Sequence, residues 1–444
     1  MPQDVPQVEQ VGGPAAPGAA ASASAVQPAA TVDAHIPSAG PVAKTYYSQL
    51  VELATQAGFV ASYIPTMIGS AAGYFVHGPP VRTWPLNFHL VWTFVRTWMS
   101  SQNNAGNIEK AQRSMMKPGV LPKTGRFEIV EVPRAKAAVD FMLAHSSAAP
   151  PEASEIGTTF TAEWVWHESS LDEGFVVYML HGGGYFLGSA QFSRPIAYKL
   201  AKLGRAKTFG INYRLAPPSA FPCAVIDAIS GYLYLLDKGI DPSRIVFDGE
   251  SAGGGLAAST LLAIRDMGLP LPTGAVLMSP WVDLSHSFPS FELNGNTDYL
   301  PARMKHPALG DNVHFYAPNS ELKNQFVSPF WASTLEGLPS MLVQVGSAER
   351  LFDEGVAFGA KVADAFPREQ TDGKQRFVRI EIYEGQVHVF QIFNFLDAAR
   401  CAFNRAGQFI LQVTGREPMV ETSSKVVIDH TGQIVETTGL KAKL

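Results

Sequence analysis

The stretch Ile245-Val246-Phe247-Asp248-Gly249-Glu250-Ser251-Ala252-Gly253 sets one serine midway between two glycines. An apolar run precedes it and the helix-competent run LAASTLLAIRDM follows, so the chain is expected to turn from strand to helix at Ser251. A serine at the tip of such a turn holds a strained backbone, and the residues two positions away must be small for strand and helix to pass closely. Gly249 and Gly253 supply that room. The hydroxyl then projects at a helix N-terminus, where free N–H groups and the helix dipole favour developing negative charge. That is the setting of a nucleophile which attacks an electrophilic carbon. A bare Gly-x-Ser-x-Gly also occurs around inert serines; the strand before it and the helix after it separate this instance from that background.

A second glycine cluster, LHGGGYFLGS at 180–189, follows the apolar run FVVYM. Glycines there let backbone N–H groups approach a substrate oxygen with no side chain in the way. A carbonyl under attack becomes an oxyanion, and one donor aimed at it is worth ~3–4 kcal/mol. Gly183 and Gly184 are the expected donors, with the N–H of Ala252 as the third. A phosphate-binding loop is the competing use of such a cluster, but the Gly-x-Gly-x-x-Gly spacing fails and no Gly-Lys-Ser/Thr follows.

Together the two stretches resemble the hormone-sensitive-lipase-like family of α/β-hydrolases, the esterases and lipases marked by His-Gly-Gly-Gly and Gly-Asp-Ser-Ala-Gly-Gly. The likeness extends through NYRLAPPSAFP (212–222), GIDPSRIVFDGESAGGGLAAS (239–259) and MSPWVDLS (278–285), and spans roughly residues 160–412. Glu250 stands where the family usually has Asp. The resemblance implies an α/β-hydrolase fold with a mostly parallel central sheet, helices on both faces and a helical cap. It also implies a serine carboxylic-ester hydrolase that needs no metal or organic cofactor. In that architecture the triad arrives in the order Ser, Asp/Glu, His. After the strand MLVQV, the register Glu349-Arg350-Leu351-Phe352-Asp353-Glu354 puts Glu349 at the position of the family's acid. Asp353 is the rival, and reads more naturally as a helix N-cap. His388, in the loop EGQVHVFQIF after the strand FVRIEIY, matches the family's final histidine. Tyr213, Arg214, Pro217 and Asp227 are expected to build a buried turn, His181 to brace the glycine loop, and Trp281 and Asp283 to lie near a strand end.

The elements that must position these residues are legible as rhythm. Apolar, β-rich runs at 175–180, 208–213, 244–249, 274–279, 341–346 and 377–383 alternate with helix-length segments such as 222–238, 252–266 and 354–366. That alternation means βαβ units and a mostly parallel sheet, with sites in the loops at the strands' carboxyl ends. Residues 126–412 thus form the catalytic domain, and 284–338, poor in strand signals, an insertion that packs over those loops as part of a cap. Residues 43–125 are read as an N-terminal helical cap region. In it, WPLNFHLVWTFVRTWMSSQ places Leu90, Val91, Phe94, Val95, Trp98 and Met99 on one apolar stripe. Leu53 to Val81 carries no charged residue, but its glycines, Pro65 and hydroxyls make buried or interfacial helices the better reading than a membrane span. Residues 1–42, rich in Ala, Pro, Gly and Ser, read as a disordered leader, and 413–444 as a polar tail.

Composition narrows the partners. With a formal net charge of -5 over 444 residues and scattered Lys and Arg, neither nucleic acid nor an anionic membrane is called for. The greasy cap is compatible with contact at a lipid surface. Cys223 and Cys401 are the two cysteines, read as two buried thiols rather than a disulfide framework. The expected substrate is a small hydrophobic ester, such as one with a short or medium acyl chain or an acetylated lipid. Two alternatives stay open: an acyltransferase on the same triad, and a non-catalytic small-molecule receptor on the same fold, the latter disfavoured by the presence of His388. With no secretory signal in MPQDVPQVEQVGGPAAPGAA, an intracellular place, cytoplasmic or peroxisomal, is expected. The tripeptide Ala442-Lys443-Leu444 resembles an address read by the peroxisomal import receptor.

Overall fold

The computed structural model describes residues 46–104, 112, 117–147, 158–168, 174–302, 314–366, 376–419 and 422–440, with backbone alone at 46–60 and 101–104. The expected leader at 1–42 and the tripeptide 442–444 lie outside the described residues. Two compact units divide at Ala61 and Ser62, and the first contributes only the opening turns of one helix to the described residues.

The helices are α1 (Tyr46–His77), α2 (Leu86–Asn104), α3 (Lys136–Ala144), α4 (Arg194–Leu203), α5 (Cys223–Asp237), α6 (Ala252–Asp266), α7 (Ser290–Leu293), α8 (Phe352–Ala365) and α9 (Asp397–Val413). The strands are β1 (Gly125–Pro133), β2 (Thr159–His167), β3 (Val176–Leu180), β4 (Lys207–Ile211), β5 (Ile245–Glu250), β6 (Gly274–Met278), β7 (Ser340–Gly346), β8 (Val378–Tyr383), β9 (Ser424–Ile428) and β10 (Ile434–Gly439). They form one sheet in the order β1-β2-β4-β3-β5-β6-β7-β8-β9-β10. The run from β4 to β9 is parallel, and the outer pairs β1/β2, β2/β4 and β9/β10 are antiparallel.

Each central strand is covered on both sides, which is why β3, β6 and most of β5 and β7 read as apolar runs, while β8, equally buried, carries Arg379 and Glu381, the latter paired with Arg405. Ile245 and Phe247 of β5 join one core with α5, α6 and α8, while Val246 faces a second core built on α4 and α9. Full burial of each such aliphatic or aromatic side chain is worth about 1.5–3 kcal/mol. All six runs expected as strands are strands, to within a residue or two at their ends. Residues 284–338 hold α7 and single 3₁₀ turns, with no strand among the described residues.

Three readings change. The region 413–444, expected to be a polar tail, carries β9 and β10: Val426 and Ile428 are buried, and Ser424–Ile428 pairs in parallel with Arg379–Tyr383. Five residues with only alternate positions buried make a weak signal in a polar stretch, so the pairing edge of β8, not local sequence, defines this strand. On α2 the most buried side chains are Phe88, His89, Trp92 and Thr93, not the stripe from Leu90 to Met99, whose members are only half-buried. Polar members of that face are tolerated because they are paired: His89 Nε2 meets Ser70 Oγ at 2.8 Å, and Thr93 Oγ1 donates to the His89 carbonyl at 2.9 Å. Finally, Cys223 is a buried thiol but Cys401 is half-buried, its Sγ 3.3 Å from the Gly432 carbonyl.

Candidate active site

Ser251 stands between β5 and α6, as the N-cap of α6, with φ 57° and ψ −123°. Such a backbone is costly for a residue with a Cβ, and it persists because the surroundings fix it. The Ser251 N–H donates to the Met278 carbonyl at 2.9 Å, and the Ser251 carbonyl accepts from Trp281 N–H at 2.9 Å. The flanking glycines are sterically required: a Cβ on Gly249 would lie 2.3 Å from the Gly253 carbonyl oxygen, and one on Gly253 would lie 1.9 Å from that of Leu180. Closeness between β3, β5 and α6 thus forces the residue types on either side of the serine.

His388 follows β8 and is buried. Its Nε2 lies 2.8 Å from Ser251 Oγ. On the other side of the ring, Nδ1 lies 3.3 Å from Oε2 of Glu349, which follows β7 and is fully buried. The close approach is not an aligned hydrogen bond, and neither Glu349 oxygen nor Nδ1 has a well-oriented partner. Catalytic hydrogen bonds of unliganded sites are often loose in this way and tighten on binding. Burial pushes the Glu349 carboxyl up to about 8 and the His388 imidazole down to about 4, so the ring is a neutral base near neutral pH. Asp353 takes no part in this cluster. It sits in the first turn of α8, whose N-cap is Leu351, and its carboxylate accepts the Ser290 N–H at 2.8 Å.

The glycine loop after β3 is anchored to this same corner. Gly183 (φ 115°) and Gly184 (φ 63°) adopt conformations open to glycine. The Gly183 carbonyl accepts from Leu187 N–H at 2.8 Å, closing a tight turn. Glu250 Oε1 accepts the Gly182 N–H at 2.9 Å. Behind the loop, Tyr213 donates its hydroxyl to the His181 carbonyl at 2.7 Å and stacks on the His181 ring, with centroids 4.2 Å apart. Burial drives the His181 imidazole down to about 4. Asp227, fully buried, holds Arg134 Nε at 2.8 Å and Arg214 Nε at 2.9 Å, which fixes the turn after β4. Asp283 accepts from Ser285, Ser287 and Trp331 and does not reach the serine.

Sequence reasoning missed two residues here. Ser279, with φ 47° at the end of β6, accepts the Val389 N–H at 2.9 Å next to the imidazole. Asp298, in the insertion, is fully buried and accepts the His388 N–H at 3.3 Å. Neither stands in a local pattern that marks it. Among the described residues, no group of three or more His, Cys, Asp or Glu side chains is placed to hold a metal ion, and no helix is long and apolar enough to cross a membrane.

A family model described as alpha/beta hydrolase fold matches residues 176–392. The chain is 34% identical over 256 residues to an acetyl-hydrolase of Streptomyces hygroscopicus, covering 57% of this chain and 81% of that one. It is 33% identical over 220 residues to an esterase of Acinetobacter venetianus, covering 49% of this chain and 68% of that one. Among solved structures, an esterase from the bacterial hormone-sensitive lipase family superposes with TM-score 0.56 at 26% identity, over 79% of this chain and 98% of that one. The chain belongs to the hormone-sensitive-lipase-like family of α/β-hydrolases, a family of ester-hydrolysing enzymes.

Proposed function

We propose that the protein is a serine hydrolase that cleaves small carboxylic esters with hydrophobic acyl or alcohol groups through a covalent acyl-enzyme. The observation that carries this reading is the 2.8 Å approach of His388 Nε2 to the hydroxyl of Ser251 at a positive-φ strand-to-helix turn. Ser251 Oγ attacks the ester carbonyl while His388 Nε2 accepts its proton. The carbonyl oxygen becomes an oxyanion held by the N–H groups of Gly183, Gly184 and Ala252. When the intermediate collapses, the carbon–alcohol bond breaks and the imidazolium gives its proton to the leaving alkoxide. Water, deprotonated by the same imidazole, then releases the acid and restores Ser251. Glu349 orients the ring at Nδ1, and the imidazolium that forms 3.3 Å from its Oε2 favours the ionised carboxylate against the effect of burial.

We read α2 with the described part of the insertion at 284–338 as a cap over the catalytic domain. Support comes from Arg96 of α2, which donates to the carbonyls of Asp298 at 2.7 Å and Gly295 at 2.9 Å. The substrate class follows from the names of the relatives, an acetyl-hydrolase and an esterase, and points to short acyl groups.

Labelling with a fluorescent fluorophosphonate, alongside a series of p-nitrophenyl esters of increasing acyl length, tests the reading. The wild type is expected to label at Ser251 and to show an optimum at short acyl chains. A protein that neither labels nor hydrolyses any ester in the series ends the proposal.

A further inference from the structure

The His388 main chain is gripped from both sides by two consecutive residues of the insertion. Asp298 Oδ1 accepts the His388 N–H at 3.3 Å, and the Tyr299 hydroxyl donates to the His388 carbonyl at 2.6 Å. Asp298 is itself fixed: Oδ1 also accepts the Tyr299 N–H at 2.7 Å, and Oδ2 accepts the N–H of Arg350, the residue after Glu349, at 2.7 Å. Arg96 of α2 holds the Asp298 carbonyl. The fully buried Asp298 side chain thus accepts the N–H groups of Tyr299, Arg350 and His388, from three stretches of chain, and Arg96 holds its main chain from a fourth.

From this arrangement we propose that Asp298 is a positioning residue for His388, setting the pose of the imidazole through the main chain and supplying a second negative charge that stabilises the imidazolium. Three N–H donors converge on its two oxygens, and it donates to none of them, which is the pattern of an ionised carboxylate. Burial, with Glu349 nearby, holds its carboxyl above the usual carboxylate range, while His388 and the N–H groups of Arg350 and Tyr299 pull it back towards the charged form. The charged and titratable groups around the pair are Glu349 and Arg350 after β7, Arg96 on α2, Tyr299 beside Asp298, and Ser251 at the elbow. Glu349 addresses the ring at Nδ1; Asp298 addresses the peptide that carries the ring. With the two roles divided, the longer glutamate can serve at the ring without also having to fix the loop.

The inference rests on the Ser251–His388 reading, and the test separates the two. Asp298→Asn keeps an acceptor oxygen and removes the charge; Tyr299→Phe keeps the charge and removes one side of the grip. For Asp298→Asn, kcat is expected to fall about 10–100-fold with KM within twofold, and the acidic limb of kcat/KM moves to lower pH because the imidazolium has lost a stabilising charge. For Tyr299→Phe, kcat falls less than tenfold and the limb stays where it is. Thermal melts of both variants establish that they fold, and Asp298→Glu provides a second charged variant, whose limb stays nearer the wild-type position than that of Asp298→Asn. A folded Asp298→Asn protein with the wild-type limb and kcat overturns the inference, whereas a wild type inert to fluorophosphonate and esters overturns the reading beneath it.

Discussion

The side chain of Glu250 and the N–H of Gly182 meet at 2.9 Å, joining the residue before the nucleophile to the loop expected to hold the oxyanion. The same oxygen accepts from Ser193 Oγ at 3.3 Å, while the other, Oε2, is buried with no partner. An acid stands here in place of the family's usual acid, and its carboxylate reaches the loop directly.

Burial raises the Glu250 carboxyl from its ordinary 4.5 to about 7. A group with a raised folded-state pKa contributes stability that is fully present below 4.5 and is lost as pH rises through about 7. At about 1.4 kcal/mol per unit this is about 3 kcal/mol. Glu250→Gln keeps an acceptor for Gly182 and removes the titration, so the stability difference between wild type and variant should shift against the wild type between pH 5 and 8. Chemical denaturation across that range measures it, and parallel curves for the two proteins count against the assignment.

Ser251→Ala and His388→Ala should each lower kcat by at least ~10⁴-fold, and the double variant should fall little further, because the two act as one unit. Both variants should melt near the wild-type temperature. Additive losses in the double variant contradict the proposed division of labour.

The acidic limb of kcat/KM on a neutral ester should have its midpoint near 4, where burial places the His388 imidazole. The base form is lost as pH falls through that value, so activity should persist at pH 5.5, where an exposed imidazole of pKa ~6.5 is mostly protonated. A midpoint near 6.5 instead would mean that the ring is solvated in the working enzyme.

Gly253→Ala should destabilise the protein by about 3 kcal/mol or more, since its Cβ would lie 1.9 Å from a backbone oxygen that cannot move away cheaply. Gly69→Ala, in α1 with nothing within 4 Å of the added carbon, should stabilise by about 0.5–1 kcal/mol. The two melting temperatures should move in opposite directions.

Much of this architecture could be read before any coordinates. The central strands were legible because a strand covered on both faces is dominated by apolar residues, with only a few buried polar ones such as Gln344 and Glu381, and the glycine spacing around Ser251 because strand–helix contact forbids a Cβ at Gly249 and Gly253. Other parts were not. β1, with Glu128 and Glu131 on an exposed edge, and β9, with alternate burial, lack a continuous apolar signature. The inward face of α2 is hidden in the sequence because His89 and Thr93 look solvent-facing until Ser70 is beside them. Asp298 was invisible for the same kind of reason: its partners Arg350 and His388 lie 52 and 90 positions along the chain.

The strand that leads to His388 is flanked on its outer side by β9, which pairs with it over Arg379–Tyr383. A protein shortened before Ser424 would leave that strand with a bare row of amide donors and carbonyls, open to solvent and to stray chains. Trimming a stretch that looks dispensable by composition would therefore reach the chemistry from the rear, through loosened footing under the imidazole rather than through any contact with substrate.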